Sequence, residues 1–385
     1  MRRFFPAFFL SMFAAPLAAQ VCPPEHIVAS GDTLSTIAER YLGDPLEYRA
    51  IHEINTAVIG PDAGRIEIGM VLVLPCAEPV LATAFIADGR RALPPLQEER
   101  RVSTVENWSV LMEPEIVAEW QDKGVQIVDI RSPKAQAGGV IPGSLSLPYS
   151  LWRGDKKNPG KPPSAQELSL VIGQSGLRLD EPIIIVNAKR EAFDTGRAAY
   201  IYWLLKSLGA TDLALVKGGF DGWKEANLDV VAETATLPPY KADLFMDQTW
   251  YATGNEVNAI ASGTVKGTLL DARPAKFFRK LSDLGLPTST TLPDAQNSPA
   301  TALHVKIGTD TTQQQDGIKV LMDLKESRVN WDSETVVSFC NTGELGALNW
   351  FYASELSGID NVKLYPESTK GWVASGHQLV PPSDS

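Results

Sequence analysis

Cys340 stands in the stretch Val336-Val337-Ser338-Phe339-Cys340-Asn341-Thr342-Gly343-Glu344-Leu345-Gly346, where a β-branched run meets a glycine-containing turn and then a helical pattern. A cysteine acts as a nucleophile through its thiolate, and a free thiol with a pKa of ~8.5 is mostly protonated at neutral pH. The spare backbone N–H groups of a helix start favour an anion, and Gly343 allows the tight curl that aims them at the sulfur. Residues Cys340 to Leu345 therefore read as a cradle for a thiolate or a small anion, with Glu344 opposing it by repulsion. Other chemistries fit poorly. Where a cysteine phosphatase needs its phosphate-gripping arginine, this chain has Gly346. Four histidines and three cysteines show no zinc-ligand spacing, and no Ser-His-Asp set is evident. No metal site and no cofactor is expected.

The elements that position this cysteine occur twice. "VQIVDIRSP" ends in Asp129-Ile130-Arg131, and "GTLLDARPA" ends in Asp271-Ala272-Arg273. "PIIIVNAKRE" matches "TVVSFCNTGE", so Asn187 holds the place of Cys340. A helical stretch, a short strand and a terminal aromatic, Trp223 or Trp372, follow in both copies. Apolar strands alternating with helices predict an α/β fold of mainly parallel sheets covered by helices, with sites beyond the carboxyl ends of the strands. Asp129 with Arg131 and Asp271 with Arg273 read as structural pairs, and both tryptophans as core. Lys276 and Lys370, near the second copy's loop in sequence, read as solvated. His304 has no assignment, and residues 288–317 read as a long surface loop.

These residues resemble the tandem rhodanese family, the two-domain sulfurtransferases that act on thiosulfate or 3-mercaptopyruvate. The resemblance rests on the paired D-x-R strands, "GVIPGS" and the strand-Cys-x-x-Gly-turn-helix. It implies an inactive copy at 108–232 and a catalytic copy at 245–380 in which Cys340 becomes a persulfide. The loop Asn341, Thr342, Gly343, Glu344, Leu345 and Gly346 would then hold the donor, a small sulfur compound, before sulfur passes to a thiophilic acceptor. The chain departs from the family in lacking the basic residues usual in that loop, which keeps open a non-catalytic scaffold or a protein that takes persulfide from another protein.

Near the N-terminus, "HIVASGDTLSTIAERYL", "IHEIN" and "IGMVLVLP" read as strand, helix, helix, strand, with Asp32 or Thr33 capping the first helix. This unit, residues 22–76, resembles the LysM domain. The resemblance implies binding of N-acetylglucosamine polymers, here the glycan strands of peptidoglycan, at a groove beside Gly31, Asp32 and Thr33.

Residues 1–19 carry Arg2 and Arg3, an apolar stretch and Ala18-Ala19, the layout of a secretory signal peptide, and place the chain in the periplasm or cell envelope. No later segment approaches the ~18 apolar residues of a membrane span, so no transmembrane segment is expected after cleavage. In an oxidising compartment three cysteines leave one unpaired. Cys22 and Cys76 bracket the first unit, and the simplest assignment is a disulfide between them with a free thiol at Cys340. Residues 77–107 read as a linker, either a tether or a peripheral strand. The chain is 385 residues long with 44% hydrophobic and 21% charged residues, enough for several packed domains. Its net charge of −11 disfavours nucleic acid as a partner.

Overall fold

A computed structural model describes residues 25–28, 32–42, 48–60, 62–67, 69–74, 108–121, 123–278, 290–304, 313–326, 329–331 and 333–382. The expected leader, Cys22 and Cys76 with their bridge, Gly31, and the linker 77–107 lie outside them. The chain divides into two compact units between residues 97 and 98.

The first unit has the expected order with one addition. β1 (Glu25–Ile27) is followed by α1 (Leu34–Leu42), α2 (Tyr48–Ile54), a short α3 (Thr56–Ile59) and β2 (Val71–Val73), which runs antiparallel to β1 with Glu25 opposite Val73. Thr33 is the cap of α1: its hydroxyl accepts the Thr36 N–H at 3.1 Å, and the Thr36 hydroxyl accepts the Thr33 N–H at 2.9 Å. Leu34, Ile37, Ala38 and Ile51 are buried with Leu72 of β2 in one small core. Asn55 of "IHEIN", 2% exposed, donates to the carbonyls of Ile51 and Val73 and accepts the Val73 N–H, so one side chain ties the helices to the sheet.

The second unit contains both sequence copies. The first comprises β3 (Leu111–Met112), α4 (Pro114–Gln121), β4 (Gln126–Asp129), α5 (Pro133–Gln136), β5 (Ser144–Ser146), α6 (Ala165–Ser175), β6 (Ile183–Val186), α7 (Ala192–Ser207), β7 (Leu213–Val216) and α8 (Gly219–Glu225). The second comprises α9 (Gly254–Ala261), β8 (Thr268–Asp271), α10 (Ala275–Phe278), β9 (Gln296–Asn297), α11 (Ala300–His304), α12 (Gln313–Glu326), β10 (Val336–Phe339), α13 (Glu344–Trp350), β11 (Val362–Leu364) and α14 (Ser368–Ala374). A π-helical stretch, Phe351–Leu356, continues α13 directly.

The sheets have the orders β3-β7-β6-β4-β5 and β11-β10-β8-β9, and every pairing within them is parallel. The central strands are buried along their whole length, as strands covered on both faces must be. Where the first copy has β3 beside β7, the second has a single parallel bridge from Tyr251 to Leu364, so the two topologies correspond.

The two copies lie in one compact unit, and the turns of α7 from Ala198 to Leu205 have no free face. Tyr200, Ile201, Tyr202, Trp203, Leu204 and Leu205 are all buried, and a helix apolar on every side must be covered on every side. Its own sheet covers part of it, and α13 together with α11 covers much of the rest. Tyr202 meets Phe351 edge-on at 5.1 Å between centroids, and its hydroxyl donates to Glu355, which Lys206 also reaches at 2.8 Å.

The segment 288–317 departs from the expected surface loop. Residues 296–297 add β9 to the sheet edge, and 300–304 form α11, with Ala300 and Leu303 buried. His304 hydrogen-bonds the Tyr352 hydroxyl at 2.6 Å and the Arg190 carbonyl, which places it between the copies.

Candidate active site

Cys340 is the first residue after β10, and β10 lies inside its sheet between β11 and β8. The carboxyl end of an interior strand flanked by parallel neighbours is the position expected of a site in such a fold. The loop that leaves it is held on both sides. The Cys340 N–H donates to the Ser368 hydroxyl at 3.0 Å, and the carbonyls of Cys340 and Asn341 accept the N–H groups of Thr369 and Lys370, both at 3.2 Å. Ser368 has a φ of 56°, the left-handed region, at the start of α14; its counterpart in the first copy is Gly219, with a φ of 62°. The serine keeps this costly backbone conformation where its hydroxyl meets the amide of Cys340.

Gly343 turns the chain into α13 with a φ of 102°, and its N–H points to Cys340 Sγ at 3.2 Å. A Cβ here would stand 2.7 Å from the Pro366 carbonyl, so both backbone angle and space call for glycine. The loop thus has the curled form expected, but its electrostatic balance corrects the expectation. Burial and the Glu344 carboxylate both raise the pKa of Cys340, and they outweigh the amides of Gly346, Thr342 and Gly343 that lower it. The thiol is also 3% exposed, so in this conformation the sulfur is a shielded thiol instead of an open thiolate.

The candidate loop residues do not all face the sulfur. Thr342, Gly343 and Gly346 present amides to it. Asn341 is exposed and its side-chain oxygen accepts from Arg273 Nη1 at 3.3 Å, while Leu345 packs against the core. Glu344 is 6% exposed; one oxygen accepts the Thr342 hydroxyl at 2.6 Å and the other lies 3.1 Å from Arg153 Nη2.

Arg153 is the residue that sequence reasoning missed. It belongs to the first copy, follows a 3-10 turn (Tyr149–Trp152), and donates from Nη2 to the carbonyl of Thr342 in the second copy's loop. Its side chain is 9% exposed and lies against the rings of Tyr200, 4.6 Å from the centroid, and Tyr149, 5.2 Å. Burial by itself would lower the pKa of the guanidinium, but Tyr149, Tyr200, Glu344 and Cys340 more than compensate, so it stays a cation. The only trace in sequence is a single arginine closing "LPYSLWR", with no motif to mark it. Lys276 and Lys370 are exposed, as expected.

Asp129 and Asp271 each accept two bonds from the Nε of the arginine two residues on, Arg131 or Arg273, at 2.9 and 3.0 Å; both are buried pairs that set the strand ends. Trp223 and Trp372 are buried. Asn187, in the place of Cys340, donates to the Lys189 carbonyl at 2.6 Å and to Asp194 at 3.3 Å, so that position organises a turn. A cavity of about 280 Å³ lies beside it. A larger one of about 390 Å³, between α6 and residues 240–244, is lined by no residue of the Cys340 loop. No group of histidine, cysteine and carboxylate side chains among the described residues is arranged to hold a metal.

In the first unit the Asp32 carboxylate, 6% exposed, pairs with the His26 ring at 2.6 Å, and Thr33 is exposed. Of the three residues assigned to the glycan groove, the Thr33 side chain is exposed and the Asp32 carboxylate turns inward.

Comparison with known proteins agrees with both units. The rhodanese-like domain family matches residues 113–226, and the LysM domain family matches 26–75. A putative thiosulfate sulfurtransferase of Mycobacterium leprae is 29% identical over 269 residues, covering 66% of this chain and 92% of that protein. One of Synechococcus elongatus is 24% identical over 260 residues, covering 66% of this chain and 79% of that one. Among solved structures, the 3-mercaptopyruvate sulfotransferase SseA of Escherichia coli aligns with a TM-score of 0.56 at 20% identity, covering 68% of this chain and 98% of its own. EanB in complex with ergothioneine aligns with a TM-score of 0.58 at 14% identity, covering 72% of this chain and 71% of its own. Both are likenesses of fold, and each spans more of the chain than the first copy alone.

Proposed function

We propose, from the premise that this chain is a rhodanese-like protein carrying a LysM domain, that it is a sulfurtransferase of the cell envelope working through Cys340. The observation that carries the reading is the loop itself: a cysteine at the end of an interior parallel strand, with the Gly343 N–H on its sulfur and a buried cation of the other copy against its turn. The curated relatives named as thiosulfate sulfurtransferases support the reaction class.

The chemistry is a double displacement. The Cys340 thiolate attacks the outer sulfur of thiosulfate, the S–S bond breaks, and sulfite departs with the bonding pair. With 3-mercaptopyruvate the C–S bond breaks instead, and the leaving carbon takes a proton to give pyruvate. The terminal sulfur of the Cys340 persulfide then passes to a thiophilic acceptor, which regenerates the thiolate. The amides of Thr342, Gly343 and Gly346 favour the anionic forms at each stage.

The LysM unit supplies location. It would hold the protein on peptidoglycan glycan strands once the N-terminal leader is removed, with a disulfide between Cys22 and Cys76 bracing the unit. A second reading, a peptidoglycan-binding scaffold whose rhodanese copies do not turn over, draws support from the shielded, protonated state of Cys340. Turnover separates the two. Formation of thiocyanate from thiosulfate and cyanide by the full chain, abolished in Cys340→Ser, supports the enzyme; equal rates in both proteins, or none in either with thiosulfate or 3-mercaptopyruvate, support the scaffold.

A further inference from the structure

Resting on that sulfur-transfer reading, we propose that Arg153 of the first copy is the residue that holds the anionic group of the sulfur donor, and that Glu344 occupies this cation until the donor displaces it. The donor class is a small anion carrying its transferable sulfur beside a carboxylate or sulfonate.

Three features of the loop carry the inference. Arg153 is buried among Tyr149, Tyr200 and the loop, yet its Nη1 has no hydrogen-bond partner. A buried donor group left without an acceptor is costly, and a guanidinium is shaped to take two oxygens of one anion side by side. Glu344 does not provide them. Its carboxylate is divided, one oxygen toward Arg153 Nη2 and the other on the Thr342 hydroxyl, so half of the guanidinium fork is unused. A donor anion offering both oxygens fits this cation better than the resident carboxylate does.

The exchange is confined to a side chain. A Cβ at Gly196 of α7 would lie 2.5 Å from the Glu344 carbonyl oxygen, so the two copies grip the backbone of residue 344. The Glu344 side chain can leave while the loop stays in place. Its departure removes a negative charge next to Cys340 and brings the donor's charge onto Arg153 instead. The resident carboxylate thereby keeps the site closed in the absence of donor.

The test compares wild type, Glu344→Gln, Arg153→Gln, Arg153→Lys and the double variant Arg153→Gln/Glu344→Gln as full chains, with circular dichroism and melting confirming the fold. KM for thiosulfate is one readout. The ratio of Cys340 alkylation rates by anionic iodoacetate and neutral iodoacetamide is the other, and it needs no sulfur transfer. Losing a charge-assisted contact predicts a KM raised about tenfold or more in Arg153→Gln and a partial return in Arg153→Lys. Glu344→Gln should lower KM and raise the iodoacetate to iodoacetamide ratio several-fold, and both effects should shrink markedly when Arg153 is already Gln, leaving only the direct repulsion between residue 344 and the anion. If the alkylation ratios follow this pattern while no protein takes sulfur, the exchange stands and the sulfur-transfer reading falls. Ratios that coincide across the set, or a Glu344→Gln effect that survives undiminished without Arg153, overturn the exchange.

Discussion

Gly343→Ala isolates what the loop geometry is worth, because the chain contains a control for it. Gly343 has a φ of 102° and Gly209 a φ of 103°, but a Cβ at 209 meets nothing within 4 Å. A Cβ at 343 lies 2.7 Å from the Pro366 carbonyl oxygen, and the backbone of Gly160 also packs close to that carbonyl, a Cβ there being 2.2 Å away. Pro366 therefore has little room to give. Both substitutions carry the backbone cost of a left-handed non-glycine residue, about 1–3 kcal/mol. Only Gly343→Ala adds overpacking, a further cost of about 2 kcal/mol. For a unit of this size, with an unfolding entropy of about 2.1 cal/mol/K per residue, the difference corresponds to a melting temperature roughly 3–4 °C below that of Gly209→Ala. Differential scanning calorimetry of the two full chains measures it directly. Iodoacetamide labelling should also change at Cys340 in Gly343→Ala alone, since the amide of residue 343 can no longer sit on the sulfur. If Gly343→Ala melts with or above Gly209→Ala, the reasoning about this turn is wrong.

Other outcomes follow from the charges. Because burial and Glu344 raise the Cys340 pKa, iodoacetamide labelling of the free protein should climb with pH to a midpoint above the ~8.5 of a free thiol, and Glu344→Gln should move it down. The same shift sets a sign for stability: the native state holds this proton more tightly than the unfolded one. The contribution is complete below the unfolded pKa and is lost as pH rises through the folded one, so the melting-temperature difference between wild type and Cys340→Ser should shift against wild type only on the alkaline side. Lys217, whose side chain is 6% exposed, bridges Glu113 and the fully buried Asp316 of the other copy at 2.8 and 2.9 Å. Lys217→Met should cost about 3–5 kcal/mol by denaturant titration, and adding Asp316→Leu should recover much of it. Deleting residues 22–76 should abolish co-sedimentation with purified peptidoglycan while leaving labelling of Cys340 unchanged.

Much of the architecture was legible because the two copies repeat their apolar strands. "PIIIV" and "TVVSF" are each too apolar for a strand with a wet face, and both became interior strands of parallel sheets. Cys340 was legible for the same reason, since the pattern around it changes from strand to turn to helix within a few residues. Arg153 was not. It is 189 residues from the carbonyl it binds, and nothing local in "LPYSLWR" distinguishes it from an exposed arginine. The direction of the Cys340 pKa was also out of reach, because it turns on how deeply the copies bury the loop and on where the Glu344 carboxylate points. β9 escaped notice because Gln296 and Asn297 carry no apolar signal. Asn297 earns its place by side-chain bonds to the carbonyls of Asp271 and Arg273, at 2.8 and 2.9 Å.

The central claim is that the Cys340 sulfur accepts a second sulfur atom from a small anionic donor. Intact mass spectrometry of the full chain after exposure to thiosulfate, and separately to 3-mercaptopyruvate, tests it most directly. A gain of one sulfur, removed by a thiol reductant and absent in Cys340→Ser, is the expected result. An unchanged mass with both donors, or the same gain in Cys340→Ser, would contradict it.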